Sequence, residues 1–216
     1  DIKCSNILLH SPPGSGIVYV KISDFGLAKK EEEDGKTQFV GTLPHMAPEL
    51  FLEPAKSSQA VDIYALGITF YRLVTHKYPV HEKKFKDQRQ KITHMTSIDR
   101  PEDIKDDVLW DLLTQMLNFD PGKRITAELA LKHEFFTGHK ANDDISPQQR
   151  QLAEKATQLE INGDRSINEY DKEPTFIVEE LVIKKFLLRD IKHRQQPLQI
   201  DEKEEEKEEE EFQTEK

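Results

Sequence analysis

The sequence is poor in cysteine, in long apolar runs and in basic excess, and each shortage closes off a class of function. Cys4 is the single cysteine of 216 residues, so there is no internal disulfide and no zinc site built from cysteines alone. No apolar run approaches the roughly 18–20 residues of a membrane span; the longest, Tyr64–Tyr71, is followed at once by Arg72. Acidic residues number 41 against 31 Lys and Arg, a net charge of −10 that argues against a general nucleic-acid binder, whose affinity comes from displacing counterions with basic side chains. The eight histidines form no H-E-x-x-H and no His/Cys ligand spacing, and His81 and His133 read as helix-surface residues. The chain opens on Asp1 rather than Met, with no charged start followed by an apolar core, so the expectation is a stretch of a longer protein with no leader of its own. No internal repeat is present.

Charge is unevenly spread. Residues 1–140 hold 20 acids and 19 bases, whereas 141–216 hold 21 acids and 12 bases. The expected organisation is a neutral globular domain over 1–140, a linker with amphipathic helical segments over 141–200, and an acidic, partly disordered tail over 201–216. The Glu run at 204–211 reads as a solubilising tail, with a tail that binds a basic partner as the alternative. Lys83, Lys84, Lys86, Arg89 and Lys91 make a basic face, either a solvated helix surface or a docking face for an acidic partner.

Asn6–Leu9 and Ile17–Ile22 are short β-rich runs joined by a Pro/Gly/Ser stretch, His10–Gly16, which predicts two antiparallel strands and an exposed connecting loop. Residues 23–39 turn polar and read as an exposed loop. From Gln59, Val61, Ala65, Ile68, Phe70, Leu73 and Val74 are apolar nearly all round, as in a helix buried in a core. His81–Met95 predicts a charged helix, and Asp106–Leu117 one with an i, i+3/i+4 apolar stripe. Thr126 caps a short helix reaching His133. Ser146-Pro147-Gln148-Gln149 has the form of a helix cap opening a helix to about Glu160. Residues 177–194 form a second amphipathic segment that docks either on the rest of the chain or on a partner. The fold class expected is α+β, mostly α, with one small antiparallel strand pair.

Several short signals follow in order: Asp1-Ile2-Lys3-Cys4-Ser5-Asn6 (D-x-K-x-x-N), Asp24-Phe25-Gly26, the G-T-x-x-x-x-A-P-E of Gly41–Glu49, Asp62 and Gly67 as D-x-x-x-x-G, and Asp120–Arg124 as D-P-x-x-R. Each alone is weak; Asp24 in isolation reads as a turn residue and Asp1 as an exposed terminus. Their order and strand, loop and helix context make the set specific. Over residues 1–140 the sequence resembles the C-terminal lobe of the eukaryotic protein kinase family, joining it at the Asp of H-R-D.

The resemblance implies phosphoryl transfer from ATP with Mg²⁺, a chemistry that rests on positioning and charge neutralisation. It makes Asp1 the catalytic base toward the substrate hydroxyl, Lys3 the cation on the γ-phosphate, and Asn6 and Asp24 the oxygen ligands of Mg²⁺. Phe25 packs to set the position of Asp24, and Gly26 leaves the backbone room to pivot. Thr42 contacts the catalytic Asp and Lys and positions the substrate; with Lys3 it marks the serine/threonine-specific members. Glu49 and Arg124 form a buried structural ion pair, and Asp62 holds the backbone of the H-R-D turn. Thr37 and Thr42 are candidate phosphorylation targets in the activation segment, with Thr42 reading first as the structural contact.

The sequence departs from the family in places. His45 stands where Tyr is usual, which touches the peptide-binding wall. Cys4 replaces a common Pro, and Tyr64-Ala65 a usual Trp-Ser. The strand-to-strand loop is longer than average and is expected to be neutral. No Gly-rich loop, strand Lys or helix Glu precedes Asp1, which reads as truncation of a full kinase. The rival is a kinase-shaped scaffold or regulator without catalysis. The resemblance implies a cytoplasmic enzyme acting on Ser and Thr of protein substrates, with the nucleus as a second location, no nucleic-acid or membrane partner, and the oligomeric state open.

Overall fold

The computed structural model describes residues 1–28, 41–55 and 57–194, with side chains to 188. Thr37, the loop over 29–40 and the acidic run over 201–216 lie outside the described residues. The described chain is mostly helical with one two-stranded antiparallel sheet, β1 (Ile7–His10) against β2 (Tyr19–Ile22). It divides into two compact units. One holds residues 1–7 and 22–133; the other holds 8–21 and 134–194.

The core of the first unit is built around α1 (Gln59–Thr75), which packs on α3 (Asp107–Met116). Ser58 opens α1 by accepting the Ala60 N–H at 3.3 Å, and Asp106 opens α3 by accepting from Val108 and Leu109 at 2.9 and 3.0 Å. A short polar oxygen at these positions satisfies amides that have no partner inside the helix. Tyr64, Ile68 and Tyr71 of α1 meet Leu113 and Leu117 in one buried cluster. Gly67 lets the two elements approach. A β-carbon there would lie 2.9 Å from Leu117 Cδ2 and 3.1 Å from Met116 Cβ. Leu73 and Val74, expected in the core, are exposed, because they lie off the buried face of α1 that carries Ile68, Tyr71 and Thr75; the helix ends on His76 in the left-handed conformation.

A second cluster joins Met46, Phe51, Val80 and Ile92. It contains α2 (Phe85–Thr93), which starts four residues later than the charge pattern suggests. Buried Gln88 is the reason. Its Oε1 accepts the Glu82 N–H at 2.8 Å and its Nε2 reaches the Val80 carbonyl at 3.4 Å, holding the incoming chain in a non-helical path. Thr126 caps α4 (Ala127–Leu131), which stops short of His133.

In the second unit, α5 (Glu134–Thr137) and α6 (His139–Asp143) lead to α7 (Pro147–Ile161). Ser146 and Gln149 form a reciprocal capping box at its start, at 3.0 and 2.9 Å. The β1–β2 connection is a loop over 11–16, as its Pro/Gly/Ser content suggests, but Ile17 and Val18, expected to open β2, pair elsewhere. Ile17 bridges Glu179 in antiparallel fashion, Val18 N–H donates to the Val178 carbonyl at 2.9 Å, and Val18 is buried. Ile17 also packs on Leu152, Ala153 and Ile177. Residues 177–179 are consequently extended, and α8 begins at Glu180 (Glu180–Arg194) rather than at 177. Beside this pairing, burial and the Asp171 carboxylate raise the Tyr19 phenol above its usual value.

Candidate active site

The sequence signals Asp1, Lys3, Asn6, Asp24 and Thr42 all fall in the first unit. Three of them meet directly. The Asp1 Oδ1 accepts the Thr42 backbone N–H at 3.1 Å and its hydroxyl at 3.2 Å. Lys3 Nζ donates to Thr42 Oγ1 at 2.9 Å and stands 3.3 Å from Asp1 Oδ2. Both charged side chains are largely covered, at 13% exposed for Lys3 and 9% for Asp1. A hydroxyl can donate one proton and accept another, so Thr42 links cation and carboxylate without competing for either. Gly41 suits the backbone beside Asp1. It sits at φ 124°, in the region that favours glycine, and its position for a β-carbon lies 3.6 Å from Asp1 Oδ1.

Asn6 closes a 3₁₀ turn over Cys4–Asn6 and is buried. Its Nδ2 donates to the Asp1 carbonyl at 2.9 Å. That fixes the amide so that Oδ1, which takes no hydrogen bond from the described residues, is the group left for a ligand. The Asn6 carbonyl in turn accepts the Ser23 N–H at 2.8 Å and the Ser23 hydroxyl at 3.1 Å. Ser23 thereby ties the stretch ending at Asn6 to the one beginning at Asp24, although sequence motifs gave no reason to single it out.

Asp24 is exposed and has a left-handed backbone, φ 59°. Its Oδ1 accepts the Gly26 N–H at 3.2 Å, and a β-carbon on Gly26 would come within 3.2 Å of the same oxygen. The positive φ therefore belongs to Asp24, while Gly26 clears space for the carboxylate. An amide oxygen and a carboxylate oxygen are both hard donors, the chemistry that Mg²⁺ takes. Among the described residues, no group of three or more His, Cys, Asp and Glu is arranged to hold a metal.

Other sequence-chosen residues divide. Arg124 and Glu49 form a buried bidentate pair, at 2.7 and 2.8 Å. Phe25 is 69% exposed, so it does not pack over Asp24; no described side chain of its unit covers it. Asp62 is exposed in the first turn of α1 and makes no side-chain hydrogen bond to the described residues. His45 is 4% exposed, and neither ring nitrogen has a hydrogen-bond partner among the described residues. It packs edge-on against Tyr78, 5.4 Å between ring centroids. It is therefore an interior residue rather than part of a wall open to a peptide. Burial, and then the positive charges of Arg72 and Lys3, lower its pKa to about 3.

The model of the protein kinase domain matches residues 1–136. Mitogen-activated protein kinase kinase kinase 1a of Physcomitrium patens is 35% identical over 147 residues, 68% of this chain and 19% of that protein. Serine/threonine-protein kinase WNK4 of Rattus norvegicus is 32% identical over 137 residues, 63% of this chain and 11% of its own length. Mitogen-activated protein kinase 3 of Arabidopsis thaliana is 30% identical over 175 residues, 67% of this chain and 46% of that protein. The chain thus spans between 11% and 46% of the length of these relatives. With the domain match covering well over half of the 216 residues and meeting the Asp1–Thr42–Lys3 cluster, this chain belongs to the eukaryotic protein kinase family.

Proposed function

We propose that this chain carries the phosphoryl-transfer and substrate-positioning half of a protein serine/threonine kinase, moving the ATP γ-phosphate to Ser or Thr hydroxyls of protein substrates. The observation that carries the reading is the hydroxyl bridge from Lys3 through Thr42 to Asp1. Asn6 and Asp24 are the residues that would hold Mg²⁺. When bound, the ion neutralises charge on the transferred phosphoryl group.

The chain's own groups do the rest. Asp1 Oδ1 is saturated by two donors from Thr42, which orients the carboxylate and leaves Oδ2 as the oxygen to accept the proton of a Ser or Thr hydroxyl. Lys3, 3.3 Å from that oxygen, presents a positive charge where the γ-phosphate oxygens arrive. The low exposure of both groups strengthens these interactions by keeping water away.

The test uses the full-length protein with a generic basic protein substrate and radiolabelled ATP. Phosphoserine and phosphothreonine should form, and Asp24→Ala should abolish them while leaving the fold intact. Mg-ATP titration followed by thermal shift supplies the second arm, because a ligand that binds only the folded state raises its melting temperature. Full activity in Asp24→Ala, or no stabilisation of the wild type at millimolar Mg-ATP, overturns the reading.

A further inference from the structure

The segment that orients Asp1 runs on to a basic corner of the first unit. After Thr42 the chain turns through Leu43–His45, and Leu43 packs on the cluster of Met46, Phe51, Val80 and Ile92. Phe85, the first residue of α2, packs on the same cluster, its ring 5.3 Å from that of Phe51. Between α2 and the 43–45 turn, Cα atoms approach within 8 Å. Lys84 and Lys86 flank Phe85, Lys83 precedes them, and all three are exposed. The anchored ring therefore fixes the backbone from which these lysines project.

The sign of this corner is opposite to that of the whole chain. Residues 72–94 hold seven Lys and Arg against two acids, in a protein of net charge −10. Of the seven, Lys91 is taken by Glu82 at 2.9 Å, Arg89 by Glu53 at 3.2 Å and Lys77 by Asp103 at 3.8 Å. Among the described residues Lys84 and Lys86 form no ion pair. Asp87 stands beside them in the first turn of α2, which opens at Lys84 without a side-chain cap, so the positive end of the helix adds to the lysines. Gln88 holds the path of this loop through the Glu82 N–H and the Val80 carbonyl. A fixed surplus of positive charge calls for a negative ligand. The patch is short and the protein as a whole is acidic, which fits a short acidic peptide segment and disfavours a long polyanion.

We propose that Lys84 and Lys86, with Lys83 beside them, select protein substrates that carry Asp or Glu about three or four residues from the acceptor Ser or Thr, on the side that passes Leu43 toward α2. The inference rests on the kinase reading given above and narrows its substrate class. With the acceptor hydroxyl at Asp1 Oδ2, an extended substrate gains about 3.3 Å per residue and comes level with the start of α2 after those few residues. Exposed charge pairs are individually weak, so the selection is a graded preference carried by several lysines. These side chains touch no reacting atom. They are positioning residues, and their effect belongs in the KM for the protein substrate rather than in kcat.

Steady-state kinetics of the full-length protein test this, on peptides with a single Ser acceptor in a neutral background and one Asp, Ala or Lys at successive positions on either side. Asp should exceed Ala in kcat/KM by about fivefold at roughly the third or fourth position on one side, and Lys should fall below Ala there. Lys84→Glu/Lys86→Glu should raise the KM for the best Asp peptide about tenfold, leave kcat and the KM for ATP unchanged, and turn the preference toward Lys. Acidic residues suit the first turn of a helix, and an unchanged kcat on the Ala peptide shows that the variant is folded. Transfer to all peptides alike, a preference for Asp that survives the charge reversal, or a loss equal for Asp, Ala and Lys peptides overturns this inference and leaves the catalytic reading standing. No transfer to any peptide overturns both.

Discussion

Arg124 reaches Glu49 across 75 residues of sequence and binds it with both terminal nitrogens, NH1 to Oε1 at 2.7 Å and NH2 to Oε2 at 2.8 Å. The guanidinium has no solvent exposure, and two of its three remaining donors go to the Asn118 and Ala60 carbonyls at 2.9 and 2.7 Å. One side chain thus joins the segment after Thr42, the start of α1 and the turn after α3. Glu49 follows the 3₁₀ turn Leu43–His45 closely, so the pair also braces the stretch that brings Thr42 to Asp1.

Breaking this pair from one side should be far worse than removing it altogether. Glu49→Leu leaves Arg124 charged, buried and short of two acceptors, and should cost about 3–5 kcal/mol. Arg124→Lys keeps the charge yet loses the fork, and should cost at least about 1.5 kcal/mol. The double variant Glu49→Leu/Arg124→Met should recover most of the single-site loss. Urea unfolding of the three variants checks this; a double variant no more stable than Glu49→Leu would show that the pair stabilises by more than charge compensation.

Gly67→Ala sets two known effects against each other. Ala is better than Gly in a helix by about 0.8–1 kcal/mol. The added carbon, however, would sit 2.9 Å from Leu117 Cδ2 and 3.1 Å from Met116 Cβ, and the second atom cannot swing away. Overpacking of this sort costs about 1–3 kcal/mol, so the net change should be destabilising by roughly 1 kcal/mol. Thermal unfolding of the variant gives the sign; a rise in melting temperature would mean that α1 and α3 move apart at little cost.

Gly67 also shows where legibility in the sequence stops. Three helix starts were readable, because Asp106, Thr126 and Ser146 act on amides two or three residues away; Ser58, which caps α1 in the same way, was not singled out. The strand pair and the charged cluster around Asp1 were readable as motifs of fixed order. What escaped was set by distant contacts. Ile17 and Val18 look like the start of β2 until they are seen paired with residues 178 and 179. Gln88 looks like one more polar residue on a charged helix until its amide is found holding Glu82 and Val80. Ser23 belongs to no motif and still ties Asn6 to the Asp24 stretch. For Phe25 a pattern suggested packing that this unit does not provide.

His45 should give the protein an acid-sensitive stability that a non-titrating ring removes. The buried imidazole has a pKa near 3, while in the unfolded chain it returns to about 6.5. Between those values the unfolded state binds one more proton than the folded one, so stability is complete above about pH 6.5 and falls as pH drops toward 3. At pH 5 the contribution is on the order of 2 kcal/mol. His45→Phe should flatten this part of the profile, and by removing two unpartnered buried nitrogens should also stabilise at pH 7 by about 1 kcal/mol. Urea midpoints of the two proteins at pH 7 and pH 5 decide the matter: equal pH dependence would mean that His45 is charged in the folded state.

Thr42 is the residue at which side-chain chemistry and backbone role can be separated. Its N–H and its hydroxyl both bind Asp1 Oδ1, but only the hydroxyl also receives Lys3. Thr42→Val preserves shape and the backbone bond while deleting the bridge. Lys3 and Asp1 would then meet only across their own 3.3 Å separation, and the carboxylate would lose one of two orienting donors. The expected result is a fall in kcat of about 10²-fold, the scale of a mispositioned general base, with the KM for ATP nearly unchanged. Thr42→Ser, which keeps the hydroxyl, should retain activity within about tenfold. Steady-state kinetics on the full-length protein distinguish the two. If Val and Ser behave alike, the backbone N–H alone positions Asp1 and the hydroxyl bridge is incidental to transfer.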